Sequence, residues 1–151
     1  MARHALIFIA LLVSGCATGV HPVAQEDLSF NNVYQAPGVP QDEIIPAANI
    51  WVAENFRSAQ DVVQHVDETT LIVKGNLPYP CKGFECVGRG NLRIGFTMRV
   101  DARDERFRVE FSQIELPINQ QREYDRLRPV IEQQGHSLAD HIIGGEDLGD
   151  W

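Results

Sequence analysis

Apolar and polar residues alternate in two neighbouring segments, 92–100 and 106–111, in the second half of the chain. A period of two places successive side chains on opposite faces of a strand, so each segment predicts a strand with one buried and one exposed face. The short polar stretch 102–105 joins them and predicts a hairpin. Beyond Phe111 the apolar phase slips by one position, which indicates a β-bulge near 112–113.

A first amphipathic helix is predicted over 41–56, where apolar residues recur at three- and four-residue steps. We place its start near Asp42, because acidic residues are favoured in the first turn of a helix and because Pro46 is tolerable only in the first turn. The apolar stripe consists of Ile44, Ala47, Ala48, Trp51 and Val52.

A second helix is predicted over 120–143, near the end of the chain. Its inner stripe consists of Tyr124, Leu127, Val130 and Ile131. Proline lacks an N–H group and glycine weakens a helix, so Pro129 and Gly135 predict that this helix is bent or divided.

Weaker alternation predicts three further strands, at 27–34, 60–66 and 70–77. The order strand, helix, strands, helix predicts an α+β fold, in which an antiparallel sheet of about five strands has helices on one face. A chain of 151 residues buries one ordinary core, so we expect a single domain over 27–143. The acidic, glycine-rich segment 144–151 is predicted to be a flexible tail.

The start of the chain predicts export. Arg3 and His4 form a short basic region, and residues 5–13 form an uncharged apolar run. Nine residues are too few for a membrane-spanning helix, which needs about 20, whereas a basic start, a short apolar run and small residues are typical of a secretory signal.

Residues 12–16, with the sequence LVSGC, resemble the lipobox of bacterial lipoproteins. The resemblance implies that the signal peptide 1–15 is cleaved, that Cys16 carries diacylglycerol and an N-terminal acyl chain such as palmitate, and that 16–26 is a lipidated tether. Ala17 follows the cysteine where inner-membrane lipoproteins often have aspartate, so we expect the outer membrane, facing the periplasm. The alternatives are an ordinary cleaved signal in which Cys16 is incidental, and a buried first helix.

The chain is acidic, with a formal net charge of −8 that becomes −9 when residues 1–15, and with them Arg3, are removed. This charge disfavours nonspecific binding to nucleic acid. Segment 70–111 is net basic, unlike the chain as a whole, with eight basic and five acidic residues. Its basic residues expected on the exposed sheet face include Lys74, Arg93, Arg99, Arg106 and Arg108. This face predicts docking of an acidic protein or envelope polymer; the alternative is a solvated face that protects the sheet.

Cys81 and Cys86 lie in one short loop. Export permits disulfides, so we interpret the pair as a structural disulfide. A zinc site with His136 and His141 is the alternative, since both pairs have near-ligand spacing. The pairs are separated by 49 residues, however, against a usual gap of about 12–15. We therefore predict neither a metal nor another cofactor.

Four stretches of the domain carry a family resemblance: QDEII (41–45), WVAENFRSA (51–59), VKG (73–75) and RFRV (106–109). They resemble a bacterial domain family of unknown function described as having a TATA-binding-protein-like fold. The likeness runs over about 27–115 and implies an exported, often lipid-anchored α+β domain. It implies no catalytic residues. The insertion that holds Cys81 and Cys86 departs from the family pattern.

No motif in the chain points to catalysis. Ser137, Asp140 and His141 are residue types of a hydrolase, yet no G-x-S-x-G motif surrounds the serine. We therefore predict a lipid-anchored, noncatalytic interaction or structural module. One alternative is a periplasmic carrier with an apolar cleft between helices and sheet; another is a small hydrolase, which would bring a histidine, a carboxylate and a nucleophile together.

Overall fold

The computed structural model describes residues 28–56, 63–81, 83–88, 90, 92–116 and 121–144. The elements are β1 (Phe30–Gln35), α1 (Gln41–Asn55), β2 (Val63–Val66), β3 (Thr70–Pro78), a 3₁₀ helix (Gly83–Cys86), β4 (Arg93–Arg103), β5 (Arg106–Glu115) and α2 (Gln121–Gly144). The predicted signal peptide, the tether with Cys16 and the predicted tail beyond Gly144 lie outside the described residues. Among those described, no helix is long and apolar enough to cross a membrane.

The five strands form one antiparallel sheet in the order β1-β5-β4-β3-β2, which confirms the predicted α+β fold. β4 and β5 form the predicted hairpin, but both strands run further than the sequence indicated. The connection is not 102–105: Arg103 still pairs with Arg106, and only Asp104 and Glu105 form the turn. Glu105, the second residue of this turn, takes a positive φ of 56°.

The predicted bulge near 112–113 is confirmed. Thr97 pairs with Ser112, whereas Gly95 pairs with Glu115, so β5 holds one more residue than β4 between these pairs. Gln113 has a φ of 50° at this point. The extra residue returns Ile114 to the buried face of the sheet, where it is fully covered.

Both helices lie on the inner face of the sheet. α1 packs on β3 and β4, while α2 packs on β1 and on α1. The inner side chains of the strands alternate with exposed ones, as the period of two requires. The fully buried side chains of the largest volume include Trp51, Phe107, Leu28, Ile44, Leu71, Ile94 and Met98.

Prolines and a glycine interrupt the helices less than the sequence predicted. Pro46 is the sixth residue of α1 and lies beyond the first turn, so the prediction that it lies in the first turn is wrong. The predicted division of the last helix is also wrong, because α2 continues through Pro129 and Gly135. Both prolines are exposed, where water can bond the freed carbonyls. Gly135 permits close packing: a Cβ there would lie 2.6 Å from the hydroxyl oxygen of Tyr34.

Candidate functional site

The five basic side chains predicted on the exposed sheet face are all exposed and lie at outward positions of β3, β4 and β5. They do not form a single patch. Arg99, Arg106 and Arg108 lie toward the end of the sheet that carries the β4–β5 turn. Arg93 lies at the opposite end, paired with Pro78, and Lys74 lies between the two ends.

A further arginine joins the three near the turn. Arg103 ends β4 and lies directly opposite Arg106 on β5. Alternation along β4 points Val100 and Ala102 inward and Arg103 outward. The sequence interpretation missed this residue because it placed 102–105 in the connection; the signal was that Ala102 continues the apolar phase of β4.

Asp101 lies in the middle of this group. Its Oδ1 accepts a hydrogen bond from Arg99 Nε at 2.8 Å, and its Oδ2 accepts one from Arg108 Nη2 at 2.5 Å. Partial burial alone would raise the pKa of Asp101, but the hydrogen bonds from Arg108 and Arg99 outweigh it and lower that pKa below its ordinary value. The same bond to Asp101 raises the pKa of Arg108. We call Arg99, Arg103, Arg106 and Arg108, with Asp101, the arginine cluster.

Arg103 and Arg106 contrast with the two arginines that hold Asp101. Within the described part of the chain, neither guanidinium has an ion pair with a carboxylate. Like charges placed directly opposite each other on neighbouring strands destabilise a sheet. The cluster therefore holds two cations that repel each other and that an added anion would stabilise.

The arginine cluster lines an open depression of about 650 Å³. Thr69, Thr70 and Gln41 complete its rim. The rim is held by the β2–β3 turn, where Asp67 Oδ1 accepts the backbone N–H groups of Thr69 and Thr70 at 2.8 and 2.7 Å. Guanidinium groups bind carboxylate and phosphate oxygens through paired, planar hydrogen bonds, so the depression suits an anion of that kind.

Replacing Asp101 by asparagine is expected to flatten the acid limb of the stability profile. A carboxyl whose folded pKa is lowered stabilises the fold above its unfolded value of about 3.9, and this contribution is lost as pH falls through the folded pKa. Because the group is partly solvated, we expect roughly 0.2–1 kcal/mol. Urea unfolding between pH 7 and pH 2 measures it; equal slopes for wild type and Asp101→Asn would contradict the assignment.

The residues weighed for zinc or for hydrolysis lie on two elements: the cysteines lie in the connection between β3 and β4, and His136, Ser137, Asp140 and His141 lie within two turns of α2. Cys81 and Cys86 form a disulfide with Cα atoms 5.3 Å apart, so both thiols are used. Ser137 Oγ accepts a hydrogen bond from Trp51 Nε1 at 3.2 Å. His141 Nδ1 lies 4.0 Å from Glu54 Oε2 on the neighbouring helix. The two cysteines, Ser137 and His141 therefore each have a contact within the fold.

The space between helices and sheet bears on the carrier hypothesis. Between β1 and α2 the structure has a cavity of about 10 Å³, beside the buried hydroxyl of Tyr34. That volume accommodates about one water molecule. An open groove of about 810 Å³ lies between α1 and the β2–β3 turn. The carboxylates of Asp42, Asp67, Glu68 and Asp104 line this groove together with the apolar side chains of Ile45, Pro46 and Val66.

Solved structures share this fold. A TBP-like protein from Parabacteroides distasonis has a TM-score of 0.60 and 14% sequence identity, with 78% of this chain and 94% of that chain covered. A DUF4468 family protein from Bacteroides ovatus has a TM-score of 0.54 and 13% identity, with 81% of this chain and 89% of that chain covered. At such identities the likeness concerns the fold alone.

The sequence was also compared with curated proteins and with models of protein families. No curated protein matches the chain. Residues 30–116, more than half of the chain, match the family described as a domain of unknown function (DUF4468) with TBP-like fold. The match covers all five strands and α1, the elements that position the arginine cluster. The resemblance predicted over 27–115 is thereby confirmed, and the chain belongs to the DUF4468 family of TBP-like domains.

Proposed function

We propose that this protein is a lipid-anchored, noncatalytic interaction module of the cell envelope, and that its arginine cluster binds a partner that presents carboxylates. The observation that carries the proposal is the directly opposed pair Arg103 and Arg106, exposed and without a carboxylate partner among the described residues. The partner is an acidic protein segment or an acidic envelope polymer.

Asp101 supports the choice of a carboxylate. This side chain is already held by two guanidinium groups, at 2.8 Å from Arg99 and 2.5 Å from Arg108, and so acts as an internal copy of the expected ligand group. A partner carboxylate would bind Arg103 and Arg106 in the same manner, at the next outward-facing pair of residues toward the turn. Four guanidinium groups face one aspartate within the cluster, and the neighbouring acidic residues are Asp104 and Glu105 in the turn and Glu110 opposite Arg99.

The proposed location of the protein supports an envelope partner. The basic start, the short apolar run and the LVSGC sequence ending at Cys16 are the basis of the proposed lipid anchor. A tethered domain meets its partner at a raised effective concentration, so the contact itself need not be tight. Release of a Cys16→Ser variant from the membrane fraction tests this anchor.

Reversing both charges of the opposed pair, in Arg103→Glu/Arg106→Glu, is expected to weaken binding of a fluorescent hexaglutamate peptide at least about tenfold, since like-charge contacts across an interface cost several kcal/mol. Fluorescence anisotropy at several salt concentrations measures the affinity. Asp101→Asn is expected to tighten the same binding, because Arg99 and Arg108 are then free to pair with the peptide.

The matched control is Lys74→Glu/Arg122→Glu. It changes the net charge by the same amount at two exposed positions outside the cluster. If this control weakens hexaglutamate binding as much as the cluster variant does, overall charge rather than the arginine cluster is responsible. The same two variants, cross-linked in cells, then show whether an envelope partner is lost with the cluster and retained with the control.

A further inference from the structure

The described part of the loop between β3 and β4 presents apolar side chains to solvent. Phe84 is 96% exposed and Val87 is 76% exposed. The Cys81–Cys86 disulfide closes this loop around a 3₁₀ helix, and the N–H of Val87 donates to the carbonyl of Phe84 at 3.1 Å. Phe84 is the only aromatic side chain in the described residues that is mainly exposed. A covalently closed loop thus holds a large apolar group in water.

The direction of β1 relates the start of the domain to the loop. β1 begins at Phe30, opposite Phe111, and runs to Gln35, opposite Arg106. It therefore runs away from the loop, which continues from the pair Pro78–Arg93, and toward the arginine cluster. β1 thus begins level with Met98, at the middle of β4, and its first residue faces the loop side of the sheet.

The segment outside the described residues connects the start of the domain to the proposed anchor. Cys16 and Leu28 are twelve residues apart, and an extended chain of that length spans at most about 40 Å. The domain is thus confined close to the bilayer. The loop sequence 81–93 contains three basic residues and one acidic residue, in contrast with the acidic chain as a whole. Apolar side chains flanked by basic ones are typical of segments that bind the interface of anionic membranes.

We propose that Phe84 and Val87 insert into the interfacial region of the membrane to which Cys16 is anchored, forming a second contact that orients the domain. This inference rests on the proposed lipid anchor. Because the arginine cluster lies at the other end of the sheet, the second contact turns it away from the lipid and toward the periplasm. Two contacts of separate chemistry, acyl chains and an apolar loop, then determine which face of the domain a partner meets.

The test uses the full mature, lipidated chain in vesicles of phosphatidylethanolamine and phosphatidylglycerol. A Phe84→Trp substitution, the loop reporter, is placed in a Trp151→Phe background, and the emission of the buried Trp51 is subtracted with the background protein. We expect a blue shift of the loop reporter's emission, a loss of that emission with lipids brominated near the glycerol, and protection from aqueous iodide. The exposure of Phe84 makes the substitution compatible with the fold.

The matched control is Val33→Trp, which places the same fluorophore at a 59% exposed position opposite Arg108, beside the cluster. We expect iodide to quench it and brominated lipid not to do so. Equal quenching of both reporters by brominated lipid would overturn the oriented contact. Protection of the loop reporter by an added envelope extract, but not by vesicles, would overturn it in favour of a protein partner.

The anchor and the loop contact fail in different ways. If the lipidated chain stays with the vesicles while the loop reporter remains open to iodide, the loop contact is wrong and the anchor stands. If the chain floats free of the vesicles as readily as a Cys16→Ser variant, the proposed anchor is wrong. The last variant combines Phe84→Ser with a Val87→Trp reporter. We expect it to remain associated with vesicles and to lose the protection of the reporter from iodide. Unchanged protection would contradict the insertion of Phe84.

Discussion

Replacing Trp51 by alanine is expected to lower the free energy of unfolding by about 3–5 kcal/mol. Trp51 is 2% exposed and lies where α1 meets α2. Its ring packs edge-on against Phe56, with centroids 5.8 Å apart, and its Nε1–H donates to Ser137 Oγ at 3.2 Å. Alanine removes the ring contacts and the link to α2 together. Urea unfolding of the unlipidated mature chain, followed by far-ultraviolet circular dichroism, measures the loss.

Ser137→Ala separates the two contributions. It removes the acceptor and leaves the ring in place, so we expect a loss of about 1–2 kcal/mol, the cost of an unpaired, partly buried donor. A Trp51→Ala loss no larger than that of Ser137→Ala would mean that the ring adds little, and that α1 and α2 are held by other contacts.

The sequence predicted the strands of the β4–β5 hairpin more accurately than the turn that joins them. Strict alternation in β4 and β5 identified the hairpin, because one buried and one exposed face leave a pattern of period two that no helix produces. The turn was predicted too long because Asp104 and Glu105 lie among charged residues, and charge alone does not distinguish an exposed strand position from a loop. Whether a charged residue belongs to a strand or to a loop depends on its pairing with a neighbouring strand. Local composition does not indicate that pairing.

The division predicted for the last helix failed for a similar reason. Pro129 and Gly135 are read from sequence as helix breakers, since each weakens an isolated helix. In the fold, α2 is retained by burial of Tyr124, Leu127 and Ile131 on the core. Gly135 is needed where the helix crosses Tyr34, a contact between residues about one hundred positions apart. Propensity describes the isolated segment, whereas tertiary packing determines the outcome.

The sequence predicted most of the arginines of the candidate site, but not how they are arranged relative to one another. Arg99, Arg106 and Arg108 were placed on the correct face, because side-chain direction follows from the strand period. The opposition of Arg103 and Arg106, and the position of Asp101 between Arg99 and Arg108, depend on a two-residue turn that sets the register of the hairpin. A shift of one residue would have separated these side chains onto opposite faces.

Replacing Gly75 by alanine is expected to cost about 2 kcal/mol, although alanine restricts the unfolded chain and so often stabilises a protein. Gly75 lies in β3 directly opposite Phe96 of β4, whose ring covers it. An added Cβ would lie 2.5 Å from Phe96 Cζ, closer than carbon atoms pack. The ring has little room to turn away, because Phe111 and Phe56 lie against it with centroids 5.5 and 5.9 Å distant.

Gly95→Ala is the matched control on the adjacent strand. A Cβ there would meet Glu115 Oε2 at 2.8 Å, but this is the end of an exposed, flexible side chain that can move at little cost. We therefore expect a change within about 0.5 kcal/mol. In a Phe96→Leu background the cost of Gly75→Ala should largely disappear, since a shorter side chain leaves space for the methyl group. Denaturant unfolding of the four proteins of this cycle gives the coupling energy, expected at about 1–2 kcal/mol; a cycle that closes near zero would show that the ring does not restrict position 75.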